Sequence, residues 1–153
     1  MALIYYVTHI QFEFGATALL RQECERIGIT RPLVVTDQGI KAAGLLNKVL
    51  DAMPGMDKAV FDQTPSNPTE AAVRAATNVF HDQHCDGLIA LGGGSAIDCA
   101  KGVAIAARHE GALKTYATIE GGSALITDRC VPLIAVPTTS GTGSEVARGA
   151  ILI

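Results

Sequence analysis

Charged residues are scarce in this sequence, and neither sign dominates. Asp, Glu, Lys and Arg together make up 18% of its 153 residues, and the formal net charge is -3 at pH 7. Proteins that bind nucleic acids or anionic membranes do so through clustered Lys and Arg side chains. The composition therefore predicts neither partner, and it is typical of an ordinary soluble domain.

Long apolar runs and targeting signals are also lacking. No stretch reaches about 18 consecutive apolar residues, so the sequence predicts no transmembrane helix. Residues 1–7 lack the basic start and the small-residue cleavage site of a signal peptide. The 4 cysteines are scattered and form no Cys-x-x-Cys pair, which predicts reduced thiols and a cytoplasmic protein rather than a disulfide framework.

The chain alternates between two kinds of pattern. Apolar runs typical of strands are separated by loops and by segments of helical periodicity. The predicted strands are 3–7, 32–36, 58–61, 87–91 and 131–136, with a further apolar run at 150–153. The predicted helices are 16–27, ended by Gly28, 40–52, interrupted at Gly44, 69–83 and 95–108, whereas residues 109–130 have no clear pattern. This alternation predicts an α/β domain with a parallel sheet covered on both faces.

Polar side chains cluster where three of the predicted strands end. Residues 88–91 and 133–136 are continuously apolar, as expected of strands that are buried on both faces. In open parallel sheets, ligands bind beyond the carboxyl ends of the strands. The polar clusters at such ends are 36–37, 92–95 and 138–144, and we expect a ligand site among them.

The stretch from Asp86 to Gly102 has the pattern of a strand, a glycine turn and a helix. Gly92–Gly94 allow a ligand to approach the main chain, and a helix N-terminus offers free N–H groups to a phosphate. Ser95 precedes Asp98 by three residues, which is the spacing of an N-cap with an acidic N3 residue. Neither the Gly-x-Gly-x-x-Gly fingerprint nor the Gly-Lys-Ser/Thr end of a P-loop is present. A tight turn without a ligand is therefore the alternative.

The other two polar clusters each have two interpretations. The Asp37 carboxylate suits the hydroxyls of an adenosine ribose and would repel a 2′-phosphate. Alternatively, Asp37 caps the helix that begins near residue 40. Residues 138–144 carry five hydroxyl side chains, which either bind phosphate, ribose or amide groups or form a solvated surface loop.

One group of residues has the spacing of metal ligands. His81, His84 and Cys85 would meet on one helix face. No further ligand cluster accompanies them, and histidines near a helix C-terminus are favourable without a metal. A solvated helix end therefore explains them as well as a metal site does. Lys101 follows Asp98 by three residues, which predicts a local ion pair.

Four motifs, in their order and spacing, resemble those of one family. Residues 92–101 resemble the GGGSxxDxAK signature of the iron-containing (group III) alcohol dehydrogenases, and residues 137–146 resemble that family's PTTxGTGSEV. Residues 35–39 and 67–69 are similar to its VTDxG and NPT motifs. The match runs along most of the chain.

The resemblance implies an NAD(P)-binding domain with a Rossmann-like parallel sheet flanked by helices, as in the N-terminal domains of dehydroquinate synthase-like proteins and iron-containing alcohol dehydrogenases. Three groups of residues would hold the dinucleotide: at the adenosine ribose, at the diphosphate, and along the adenine and nicotinamide sides of the cleft. In that order they are Asp37 and Asn67; Gly93, Gly94 and Ser95; and Thr138, Thr139 and Thr142. Asp98 would fix the turn and approach the cofactor. The acid at position 37 implies NAD, with NADP as the alternative.

In this family a second, helical domain supplies one Asp and three His as ligands for Fe²⁺ or Zn²⁺. None of these ligands has a counterpart in this sequence. We therefore expect residues 1–153 to form the NAD(P)-binding domain alone, with no metal ligand and no catalytic residue, and to be inactive by themselves. The last residues would lie in a strand at an unprotected edge, and apolar surface would be exposed where the second domain docks.

The resemblance implies an oxidoreductase. The whole protein would transfer a hydride between NAD(P) and a small alcohol or aldehyde, with a hydroxy acid such as 4-hydroxybutyrate as an alternative substrate. A homo-oligomer, such as a dimer, is expected. Two alternatives stay open: a stand-alone or decayed nucleotide-binding module without catalysis, and a fragment of a maleylacetate reductase or of a glycerol dehydrogenase-like enzyme.

Overall fold

The fold is built on a parallel sheet, as the alternating pattern predicts. The structure is a computed structural model that describes residues 8–153, so the strand predicted at 3–7 lies outside the described residues. Within the described part, the sheet has 4 strands in the order β2-β1-β3-β4, and every pair is parallel. The strands are β1 (Pro32–Val35), β2 (Ala59–Phe61), β3 (Gly87–Gly92) and β4 (Leu133–Pro137).

The strand order places a switch point between β1 and β3. After β1 the chain moves outward to β2, then returns across the sheet to β3 and continues to β4. Val35 pairs with Ala90, and Gly92 pairs with Pro137, so these strands end along the same edge. This edge is where open parallel sheets bind ligands.

Helices cover both faces of the sheet. A short 3₁₀ turn leads into α1 (Leu20–Arg26), and the other helices are α2 (Gln38–Ala42), α3 (Leu45–Asp51), α4 (Glu70–Asp82) and α5 (Gly94–Ala106). The four helical segments predicted from the sequence are therefore confirmed. Gly28 and Gly44 both have positive φ, at 78° and 77°, which explains why the chain leaves a helix at each.

The core lies on the two faces of the sheet. Alternate strand residues such as Leu33 and Leu88 face α4 and α5, whereas Val34 and Ile89 face α1 and α3. All of β3 is buried, which accounts for its continuously apolar sequence. Helix α5 is buried along most of its length, and this confirms the burial expected for a helix that is apolar almost all round.

The segment 109–130 forms three short 3₁₀ turns, at Leu113–Tyr116, Thr118–Glu120 and Gly122–Leu125. The buried His109 holds this segment at both ring nitrogens. Its Nε2 accepts the Thr127 N–H at 3.0 Å, and its Nδ1 donates to the Ile105 carbonyl at 3.0 Å. Because Nε2 must accept, the geometry requires the neutral tautomer with the proton on Nδ1.

The prediction of a strand at residues 150–153 is wrong. Residues 150–153 have no regular structure, and the edge position next to β3 belongs to β4. The Ile153 N–H donates to the Pro68 carbonyl at 2.9 Å instead of joining the sheet. Leu152 packs against the core cluster beneath α4 and α5, so burial of this side chain directs the tail across the helices.

Several apolar side chains are exposed. Phe12, Phe14 and Ile119 are almost wholly accessible, at 98%, 109% and 94%. None of the helices in residues 8–153 has the length and hydropathy needed to cross a membrane.

Candidate functional site

The candidate site lies at the carboxyl edge of the sheet, where four segments meet. The glycine turn between β3 and α5 is at its centre. The end of β1, the loop after β2 and the loop after β4 each contact this turn. The structure therefore brings together the three polar clusters predicted from the sequence.

The glycine turn starts α5 earlier than the sequence predicts. Gly93 is the extended N-cap residue and α5 begins at Gly94, so the prediction of Ser95 as N-cap is wrong. Glycine lets the chain turn into the helix before it reaches the serine. Gly92 has φ 150°, and a Cβ there would lie 2.8 Å from the Cβ of Ala96, so this position requires glycine.

Ser95 has a different partner from the one expected. Its hydroxyl donates a hydrogen bond to the Ser66 carbonyl, which joins the first turn of α5 to the loop after β2. Asn67 is the next residue in that loop, and it is exposed. The hydroxyl of Ser95 is thus engaged, whereas its backbone N–H belongs to the first turn, where no intrahelical acceptor exists.

Hydroxyl side chains after β4 lie against the glycine turn. A Cβ on Gly93 would be 3.2 Å from Thr139 Oγ1, and a Cβ on Gly94 would be 3.1 Å from Ser144 Oγ and 3.6 Å from Thr142 Cβ. The Thr138 N–H donates to the Gly92 carbonyl at 2.9 Å, which extends the β3–β4 pairing to the loop. A Cβ at either glycine would therefore crowd these hydroxyls and require them to shift.

The alternative interpretation of Asp37 as a helix cap is confirmed. Its Oδ1 accepts the Ile40 N–H at 2.9 Å at the start of α2. Its other oxygen, Oδ2, lies 3.5 Å from the position of a Cβ on Gly92. One oxygen of the half-buried carboxylate therefore caps a helix while the other lies beside the glycine turn.

Asp98 and Lys101 lie behind the turn, on α5. The predicted ion pair is confirmed, with Lys101 Nζ 3.6 Å from Asp98 Oδ1. Asp98 is 8% exposed, and its Oδ2 accepts the Ile151 N–H at 3.0 Å. Burial lowers the pKa of Lys101, and the nearby carboxylates of Asp98 and Glu145 oppose that shift. Sequence reasoning identified the pair but not the main-chain partner.

The histidine group does not form a metal site. His81 and His84 are exposed, whereas Cys85 is buried and its pKa is raised by burial to about 11. Within residues 8–153, no three His, Cys, Asp or Glu side chains converge in a way that could hold a metal ion. The donor set present here therefore does not fit the metal of the resembled family.

The arrangement does fit a dinucleotide. Helix α5 is 13 residues long, and no side chain caps its N-terminus, where the first N–H groups have no intrahelical acceptor. Uncharged hydroxyls surround that helix end, and one carboxylate oxygen lies at its side. These are suitable partners for a diphosphate and a ribose, respectively.

Comparison with known proteins agrees with this geometry. The family model for iron-containing alcohol dehydrogenases matches residues 8–153. The chain belongs to the iron-containing alcohol dehydrogenase family. It is 68% identical over 153 residues to a 4-hydroxybutyrate dehydrogenase of Cupriavidus necator, covering 100% of this chain and 40% of that protein.

Solved structures of this family share the fold. An NADH-dependent butanol dehydrogenase of Thermotoga maritima is 27% identical with a TM-score of 0.85, covering 99% of this chain and 38% of that one. A sulfoacetaldehyde reductase of Bifidobacterium kashiwanohense, solved in complex with NAD⁺, is 30% identical with a TM-score of 0.77, covering 87% and 35%. The chain thus spans well under half the length of these relatives.

Proposed function

We propose that this chain is the NAD(P)-binding domain of a dehydrogenase that transfers a hydride between the cofactor and a small alcohol or aldehyde. The observation that carries the proposal is the contact of Thr139 and Ser144 with Gly93 and Gly94 at the N-terminus of α5. These residues form a concave site, the diphosphate cradle, at the switch point of a parallel sheet, with Gly93 and Gly94 at its base and the hydroxyls of Thr139 and Ser144 at its side. The NAD⁺ complex of the sulfoacetaldehyde reductase, a structural neighbour, supports the assignment.

We assign each role to polar atoms that are not already engaged in the hydrogen bonds described above. Gly93, Gly94 and Ser95 hold the diphosphate, and Ser95 does so through its N–H because its hydroxyl is bonded to Ser66. Asp37 accepts ribose hydroxyls through Oδ2, since Oδ1 is occupied by the helix cap. The remaining proposed contacts are Asn67 beside the ribose, and Thr138, Thr139 and Thr142 along the cleft.

NAD is the proposed cofactor in preference to NADP. A 2′-phosphate at the ribose would be placed next to the Asp37 carboxylate, and the two like charges would repel each other. Lys41, on the following helix α2, could neutralise the charge of a 2′-phosphate, but it is already paired with Asp62. When bound, the nicotinamide supplies the hydride chemistry, and this domain binds and orients it.

The division of labour between this chain and the rest of the protein is also proposed. Residues 8–153 offer no metal donor set, so we assign the metal ligands and most of the substrate pocket to residues outside them. Because the relative that is 68% identical is a 4-hydroxybutyrate dehydrogenase, a short ω-hydroxy acid is the proposed substrate class. We expect the 153-residue chain to show no oxidation of 4-hydroxybutyrate with NAD⁺. Turnover by this chain alone would contradict the division.

Self-association through apolar surface is proposed as well. It is supported by the exposure of Phe12, Phe14 and Ile119, since large apolar side chains in contact with water favour association. Light scattering after size exclusion should give at least a dimer. A monomer over the whole concentration range would contradict this proposal.

Amide chemical-shift mapping tests the location of the cofactor. Addition of NAD⁺ to the labelled chain should shift the amides of Gly93, Gly94 and Ser95, together with those of residues 138–142. The amides of Gly28 and Gly55, at the opposite edge of the sheet, serve as the control and should not move. Shifts confined to other residues would place the ligand elsewhere.

A further inference from the structure

Lys101 makes contacts that the proposed cofactor contacts do not explain. Its Nζ donates to the Ser144 carbonyl at 2.6 Å and to the Gly149 carbonyl at 2.7 Å. The side chain as a whole is only 14% exposed. The two main-chain carbonyls accept hydrogen bonds from it, and Asp98 Oδ1, at 3.6 Å, forms an ion pair with it.

Asp98, one turn earlier on α5, holds the same segment at a third point. Its Oδ2 accepts the Ile151 N–H at 3.0 Å, and its Oδ1 lies 3.6 Å from Lys101 Nζ. Residues 144–151 form no strand and no helix. A segment without regular structure depends on side-chain hydrogen bonds for its order. Here the hydrogen bonds from Lys101 and Asp98 provide the polar link between residues 144–151 and α5.

Ser144 connects this pair to the proposed diphosphate cradle. Its carbonyl accepts from Lys101, while its hydroxyl lies 3.1 Å from the position of a Cβ on Gly94. Ser144 is thus held by α5 through its carbonyl and contacts the glycine turn through its hydroxyl. Thr142, two residues earlier, also contacts the Gly94 position and donates to Glu145 at 3.2 Å.

We propose that Lys101 and Asp98 are positioning residues that tie residues 144–151 to α5 and thereby fix the hydroxyls of Thr142 and Ser144 over the glycine turn. In this proposal both residues act on the cofactor through the loop, and Asp98 has this positioning role in place of the direct approach to the cofactor that the resemblance implies. This inference rests on the proposed function for its ligand, whereas the ordering of the loop is independent of it.

If Lys101 only stabilised the fold, its substitution would destabilise the whole domain. If it positions the loop, its substitution should affect residues 144–151 and leave the sheet unchanged. The buried faces of α5 pack through apolar residues such as Ile97 and Val103, which a change at Lys101 leaves in place. Loss of the ammonium group should therefore release the loop while the sheet stays intact. Lys101→Met retains the length of the side chain and removes its charge and donors.

The test combines amide hydrogen exchange with calorimetry on the full 153-residue chain. In Lys101→Met, exchange should rise at residues 142–151 but not in β1 or β3, and NAD⁺ affinity should fall about tenfold, as expected for lost charge-assisted hydrogen bonds. Lys101→Arg keeps the charge and the donors on a larger head group, so its affinity should lie between those of the unaltered chain and Lys101→Met. Lys48→Met, an exposed lysine on α3, is the matched control and should change neither quantity.

The outcomes separate this inference from the proposed function. If the unaltered chain fails to bind NAD⁺, the proposed function is wrong, and exchange in the absence of ligand still tests the loop. Exchange that rises equally across β1 and β3, or NAD⁺ affinity of Lys101→Met equal to that of Lys48→Met, would overturn the positioning role. Asp98→Asn, which keeps an acceptor for Ile151 N–H, should release the loop less than Lys101→Met does.

Discussion

The hydroxyl of Ser95 donates to the carbonyl of Ser66, and this bond joins the first turn of α5 to the loop that carries Asn67. Because of this bond, the hydroxyl and the backbone N–H of Ser95 have different roles. The side chain organises the neighbouring loop, and the backbone N–H is available to a ligand. Substitutions can distinguish these two contributions.

Ser95→Ala should weaken NAD⁺ binding only modestly. The backbone N–H stays in place, and the lost hydrogen bond loosens the position of Asn67, so we expect a loss of about threefold in affinity. Calorimetry measures it, with Ser123→Ala in the 3₁₀ segment as a control remote from the site. A loss of a hundredfold would mean that the hydroxyl itself binds the cofactor.

Gly92→Ala should destabilise the fold. The φ of 150° and the distance of 2.8 Å to the Cβ of Ala96 leave no room for a side chain, so the free energy of unfolding should fall by about 2 kcal/mol or more. In Gly93→Ala the neighbour is the movable hydroxyl of Thr139, and φ is -80°. That variant should lose less stability in urea titrations. Equal losses would contradict the geometry described for the turn.

Substitutions at Asp37 separate its capping role from its proposed ribose role. Asp37→Asn keeps an oxygen for the Ile40 N–H and removes the charge. Stability should be nearly unchanged, whereas the ratio of NADP⁺ to NAD⁺ affinity should rise about tenfold. Asp37→Ala should in addition lower the unfolding free energy by about 1 kcal/mol through loss of the cap. An unchanged cofactor ratio in Asp37→Asn would refute the ribose role.

The buried thiols should react slowly in the native protein. Burial raises the pKa of Cys24, Cys85 and Cys99 to about 11, so the reactive thiolate is rare at neutral pH. Alkylation at pH 8, followed by mass spectrometry, should modify Cys130 first, because it is only partly buried. In denaturant all four should react alike. Rapid native labelling of Cys99 would contradict the packing of α5.

The same thiols should make the folded state less stable in alkali. Their folded pKa of about 11 exceeds the ordinary thiol pKa of 9.0, so the native state holds more protons than the unfolded state between those values. The unfolding free energy should therefore decrease as pH rises from 9 towards 11. Cys24→Ala should reduce that slope, as measured by urea titrations at each pH.

The sequence predicts the sheet, the helices and the meeting of three polar clusters. Continuous apolar runs identify buried strands such as β3, and parallel strands end at a common edge, so residues after them converge without any knowledge of side-chain contacts. Local signals such as Gly28, Gly44 and the Asp37 cap are confirmed because they depend on neighbouring residues alone. The family motifs then indicate which ligand the edge binds.

Contacts between distant residues are what the sequence does not predict. Ser95 resembles an N-cap by its spacing, but its partner is Ser66, and Gly93 takes the cap position. Lys101 has a local partner in Asp98, yet its stronger contacts are carbonyls more than forty residues away. The tail at 150–153 has a strand-like composition and packs on the helices. Each of these choices is decided by tertiary burial, which leaves no local pattern.

Calorimetric titration of the 153-residue chain with NAD⁺ tests the central proposal most directly. We expect saturable binding of one NAD⁺ per chain, lost in Gly94→Val because a larger side chain would collide with Ser144 and Thr142 and cover the start of α5. Absence of any binding heat at millimolar NAD⁺, or equal binding by Gly94→Val, would contradict it.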